Sequence, residues 1–159
     1  MPFDATHMIW PWLFPLTYFI HMAEEYWGGD GYSAYLSRTK GVDLTSARFL
    51  LLTALGLVLM VAGIPLAGMF RFPQLLLVIL GTVVLVNGVS HGVSSLFTAR
   101  YNPGLISGIL IWIPLGVITL VQLRDRMSAA RYLTAVAIGV AIQAVVSLVS
   151  LRGGKLFRA

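Results

Sequence analysis

The only two glutamates of the chain are adjacent, and they follow a histidine in the run His21-Met22-Ala23-Glu24-Glu25. Positions i, i+3 and i+4 share one face of a helix, so an imidazole and two carboxylates are presented together, with Thr17 extending that face. A second polar group lies further along. Asn87, His91, Ser94, Ser95 and Thr98 stand at i, i+4, i+7, i+8 and i+11, one stripe on a helix. Two imidazoles, two carboxylates and an amide suit a divalent cation such as Zn²⁺ or Fe²⁺, whose charge offsets that of the carboxylates. The pattern is not the H-E-x-x-H of a soluble zincin. Glu25 lies angularly closer to His21 than Glu24 does, yet Glu/His pairs at i, i+3 also hold metals in helix bundles, so spacing leaves the roles of ligand and base open between the two.

Each of these residues also has a plainer reading. The glutamates stand just before Gly28 and Gly29, beside Tyr26 and Trp27, where a helix end is wetted at the headgroup level. Serine and threonine in apolar helices commonly bond back to their own carbonyls, and asparagine commonly joins helices. His91 is harder to explain this way, because an imidazole buried in a membrane helix needs a partner.

The surrounding chain is strongly apolar. Of 159 residues 58% are hydrophobic and 11% charged, and the mean hydropathy is +0.86. Soluble domains carry about 25% charged residues, so too few are present here to coat a water-exposed globule. A soluble enzyme is excluded and an all-α, polytopic membrane bundle is expected, as one domain over residues 1–159. The net charge of +5 belongs to membrane loops, and nucleic acid is not expected as a partner. With no cysteine, disulfides, thiolate metal sites and Fe–S clusters are all excluded. The first eight residues carry no basic region or small-residue cleavage site, so a removable signal peptide is not expected.

Five apolar runs are long enough to cross a bilayer: 8–27, 49–69, 74–97, 105–123 and 132–151. Asn102 is expected to cap the fourth, with Pro103 in its first turn, and Asp43, Thr45 or Ser46 the second. The long loop 28–48, with Tyr32, Tyr35 and Leu36, reads as a short interfacial helix. Lysines and arginines alternate to give 4 on one side and 7 on the other, which favours an outside N-terminus and a cytoplasmic C-terminus. Trp10, Trp12, Trp27 and Trp112 read as interface anchors, Arg100 as a boundary cation and His7 as an interfacial histidine. Gln143, Ser147 and Gly139 read as one helix-packing face, as do Gly56, Met60 and Gly63.

The run His21-Met22-Ala23-Glu24-Glu25, together with Asn87 and His91 and the turn Tyr101-Asn102-Pro103-Gly104, resembles the HXXEE family of small membrane proteins over roughly residues 10–115. That resemblance implies a metal-dependent membrane enzyme without an assigned substrate, with His21, Glu24, Glu25, Asn87 and His91 as its functional residues.

The expected function is therefore a membrane-embedded, metal-dependent, hydrolase-like enzyme acting on a lipid or other apolar small molecule. His21, His91 and one glutamate would hold the ion, and the other glutamate, with Asn87, would serve catalysis. The alternatives are a proton- or ion-coupled transporter or sensor built on the same cluster, and a purely structural membrane protein. Oligomeric state is not legible. The reading makes one geometric demand. Spans one and three must bring His21 and His91 within about 4–8 Å, so that one ion or water bridges them. Gly88 and Gly92 are expected to permit that approach.

Overall fold

The computed structural model describes residues 9–156, with side chains to Arg152. His7, Met8, Arg158 and the Lys155 side chain, each part of a sequence expectation, lie outside the described residues. The described residues form six helices: α1 Trp10–Trp27, α2 Tyr32–Lys40, α3 Ser46–Met69, α4 Pro73–Thr98, α5 Leu105–Arg126 and α6 Ala129–Leu156. No strand occurs among the described residues. Helices α3 to α6 are each long and apolar enough to cross a membrane, and the chain is a multi-pass membrane protein.

Helix α1 has 18 residues, about 27 Å at 1.5 Å per residue. Its histidine, glutamates and prolines make it less apolar than the other four. It turns His21 and Glu25 inward, while Trp12, Leu16, Phe19 and Ile20 stay exposed, the arrangement expected of a helix whose outer face meets lipid. Its polar residues therefore face protein. In α3, Leu51, Leu55, Val58 and Leu59 are likewise exposed.

Helix α4 is the central element. It packs most extensively on α5 and α6, and small residues set the spacing. A Cβ on Gly116 of α5 would stand 2.7 Å from the carbonyl oxygen of Gly81, and one on Gly139 of α6 would stand 2.6 Å from Thr82 Cβ. Gln143 is buried and its amide reaches Ser147 at 3.4 Å, consistent with a packing face on α6. Helix α1 packs on α3, where Tyr18 covers Gly56, and on the start of α5. Phe14, Met60, Leu77, Val84, Trp112 and Leu115 form the main core between these helices.

Three local expectations are corrected. Gly88 meets Gly108 of α5, not α1, and Gly92 has no neighbour within 4 Å of a built Cβ. The start of α5 thus carries the close approach that was expected of α1 against α4. Trp112 is buried in the core, not at an interface, because it packs against the ring of His21. Trp12 and Trp27 are exposed, and Trp10 donates its indole N–H to Thr119 Oγ1 at 3.0 Å. Asn102 does not cap α5. It is buried, and the residue before the helix is Gly104 in a left-handed conformation. Among the three candidate caps for α3, Thr45 accepts the Arg48 N–H.

Candidate metal centre

The two polar faces meet. The rings of His21 and His91 lie 5.0 Å apart, nearly perpendicular, within the separation that a common site demands. Glu25 Oε1 stands 3.7 Å from His21 Nε2 and 3.3 Å from His91 Nε2. All three residues are buried, and one donor atom from each lies within 4.8 Å of the other two. Among the described residues, His21 Nε2 and His91 Nδ1 have no hydrogen-bond partner. Buried polar atoms are seldom left so.

Helix α5 fixes the orientation of His21. Its Nδ1 is 2.7 Å from Ser107 Oγ, which leaves Nε2 to face Glu25. The ring stacks on Trp112, with centroids 3.6 Å apart and planes 23° from parallel. Ser107 and Trp112 are five residues apart, too far round an α-helix to share a face. Between them the chain forms a π turn over Gly108–Trp112, with the Ile113 N–H bonded to the Gly108 carbonyl. That i→i+5 bond brings residues five apart onto one side. Pro114 follows at once, and it has no N–H to continue the regular ladder.

Glu24 is placed elsewhere. Its Oε1 accepts from Tyr101 Oη at 2.6 Å and from the Ile106 N–H at 2.9 Å, and its Oε2 accepts from the Ser107 N–H at 2.7 Å. The carboxylate caps the first turn of α5 from a different helix, where unpaired N–H groups and the helix dipole favour a negative charge. It is not among the three residues that converge. Of the two expected ligand or base carboxylates, only Glu25 faces the imidazoles.

The turn ahead of α5 closes over the rings. Gly104 has φ +95°, and a Cβ there would stand 2.7 Å from His91 Cε1 and 2.9 Å from His21 Cε1. Ser95 holds this turn, donating to the Arg100 carbonyl at 2.7 Å and accepting the Asn102 N–H at 3.0 Å. Helix α2 covers another side. Tyr32 packs on His91 with centroids 5.6 Å apart, and Tyr35 Oη reaches Ser94 Oγ at 2.9 Å and Thr98 Oγ1 at 3.2 Å. Burial, and then the Glu25 charge, push the Tyr32 phenol above its ordinary pKa, so it stays neutral. Asn87, one turn before His91 on α4, is half-buried, and its Oδ1 has no partner among the described residues. Arg100 is exposed.

Of the residues that the sequence singled out, His21, Glu25 and His91 converge, and Ser107, Trp112 and Tyr32, which pack against these imidazoles, were not expected there. Ser107 carries no signal in an apolar run, Trp112 imitates an interface anchor, and only the tyrosines of the 28–48 loop hinted at a cover.

The family described as a protein of unknown function with an HXXEE motif matches residues 12–119, and the chain belongs to that family. Neither the curated proteins nor the solved structures hold a match to the chain.

Proposed function

We propose that this member of the HXXEE family is a membrane-embedded, metal-dependent enzyme, hydrolytic in type, acting on a lipid or other apolar small molecule. The observation that carries the reading is the convergence of His21, Glu25 and His91, buried among apolar helices with imidazole nitrogens left unpartnered. Two imidazoles and one carboxylate are the ligand set of hydrolytic zinc sites and of non-haem Fe²⁺ sites alike. A divalent ion there would supply Lewis acidity and lower the pKa of a water.

The chain's own residues have distinct parts in this reading. Ser107 and Trp112 orient His21. Glu25 is the carboxylate of the ligand set, its Oε1 standing 3.7 Å from His21 Nε2 and 3.3 Å from His91 Nε2. Asn87 Oδ1, itself buried and without a partner among the described residues, is the acceptor left for a hydrogen bond from substrate. Glu24, Tyr101 and Gly104 hold the turn over the rings and keep bulk water out.

Metal analysis of the purified chain tests the premise. About one equivalent of zinc or iron is expected in the wild type, since three protein ligands and an open position make one catalytic site. The double variant His21→Ala with His91→Ala should carry none. A wild type without stoichiometric metal, or an unchanged content in the double variant, overturns the proposal.

A further inference from the structure

At the end of the bundle remote from the imidazoles lies a cavity of about 710 Å³, bounded by the start of α1, the α3–α4 turn and the α5–α6 turn. Along α4 alone, Gln74 in its wall and His91 at the metal centre are separated by about 25 Å at 1.5 Å per residue. Trp12, Pro65, Phe72 and Met127 give the cavity apolar walls, and Arg71 and Arg131 are the charged residues in its lining. Among the described residues, no aspartate or glutamate lines it. Among the described residues this end of the bundle carries Arg71, Arg124, Arg126 and Arg131 against the single carboxylate of Asp125. Neither the volume nor the charge is used by the metal centre.

Arg71 is held at this position by the backbone. It has φ +59° and occupies the left-handed residue of the turn that closes α3. The Phe72 N–H reaches the Ala67 carbonyl at 2.9 Å and the Arg71 N–H reaches that of Gly68 at 3.3 Å. These two bonds define a Schellman ending, where glycine is the unstrained residue. The turn fixes where the Arg71 side chain leaves the backbone, beside the first turn of α6 that carries Arg131.

We infer that this cavity binds an anionic phospholipid from the surrounding membrane, with the phosphate between Arg71 and Arg131 and an acyl chain along the apolar wall. Basic pockets between membrane helices at the headgroup level hold anionic lipids in this way. The combination of a charged pair with apolar walls selects an amphiphile over a free anion, and the excess of arginine over carboxylate selects an anionic headgroup over a zwitterionic one.

The full chain in nonionic detergent tests this, with native mass spectrometry and thermal midpoints as readouts. The probes are phosphatidylglycerol, phosphatidylcholine and inorganic phosphate. One phosphatidylglycerol is expected to stay bound and raise the midpoint, while phosphatidylcholine and phosphate do neither. Arg71→Gln with Arg131→Gln should weaken phosphatidylglycerol binding about tenfold or more, as expected for two cations near a membrane surface. Arg100→Gln, at the other end, should change nothing. Where the double variant fails to fold, Arg131→Gln alone decides, with a weakening of several-fold expected. Equal retention of phosphatidylcholine, a response to phosphate as strong as to the lipid, or unaltered lipid binding in Arg131→Gln overturns the inference. Metal content is not a readout here, so the result stands apart from that of the metal centre.

Discussion

Adjacent glutamates have opposite fates in this protein. Relative to His21, i+3 and i+4 fall on either side of the histidine's own direction, about 100° apart on the helix. One spacing therefore aims Glu24 at the first turn of α5 and Glu25 at the second imidazole. This accounts for what could be read from sequence and what could not. The shared face of positions 21, 24 and 25 was legible, but which neighbour each carboxylate meets depends on where α5 begins. The two residues should separate on mutation. Glu24→Ala removes an acceptor of three hydrogen bonds and should cost about 1–3 kcal/mol, the range for half-buried bonds to a charged group. Glu25→Gln removes a buried charge whose ion-pair partners among the described residues are the two imidazoles, so the metal-free protein should keep its thermal midpoint or gain slightly, as functional carboxylates often cost stability. Its zinc or iron content should fall to background. Denaturation scans and metal analysis of the two variants, side by side, check the pair. A Glu25→Gln protein that keeps its metal would move the ligand role elsewhere.

Among the elements, the stretch from Tyr101 to Trp112 has the greatest influence on the site, although its polar content is low. It supplies the turn over the rings, the hydroxyl at His21 Nδ1, the aromatic under His21 and the N–H groups for Glu24. Its turn motif was legible, but the π turn that aligns Ser107 with Trp112 was not, because Pro114 signals a broken ladder without saying how the chain adjusts. Gly104→Ala should be the most damaging single methyl addition here. The Cβ would press on both imidazoles, at a φ of +95° that alanine rarely adopts. Loss of bound metal and a stability cost of about 2 kcal/mol or more are expected, from backbone strain plus overpacking. A Gly104→Ala protein with wild-type metal content would show that the turn is free to move. The opposite substitution should help at the end of α4. Ala99 has φ +49° and closes that helix with the Arg100 N–H on the Ser95 carbonyl, the same Schellman ending seen at Arg71. Ala99→Gly should raise stability by about 0.5–1 kcal/mol, the strain relieved less the added chain entropy. An unchanged or lower midpoint in urea would argue against that accounting.

At the scale of the whole molecule, α6 stands apart from the motif-bearing part of the chain. The family match ends at residue 119, before α6 begins, and the residues at the metal centre lie on α1, α4 and the start of α5. Its sequence foretold a span and a packing face of Gly139, Gln143 and Ser147, and in the packing Gly139 is seated against Thr82 and Ile79 of α4. Thr82 bonds back to the Val78 carbonyl at 2.8 Å, so its side chain is fixed and α4 cannot yield there cheaply. A bulky residue at 139 must therefore push α6 away from α4. In a bilayer that separation does not expose apolar surface to water, since lipid tails replace the lost contacts, and the cost is mainly one of packing. Gly139→Leu is accordingly expected to lower the thermal midpoint while leaving the His21, Glu25 and His91 arrangement intact. Zinc or iron titration of the apo variant should give an affinity within about twofold of wild type, less than 0.5 kcal/mol, as expected for sites on separate elements without shared partners. If metal affinity instead falls with the midpoint, α4 does not hold His91 in place without α6, and the metal centre extends through the packing of α6 on α4.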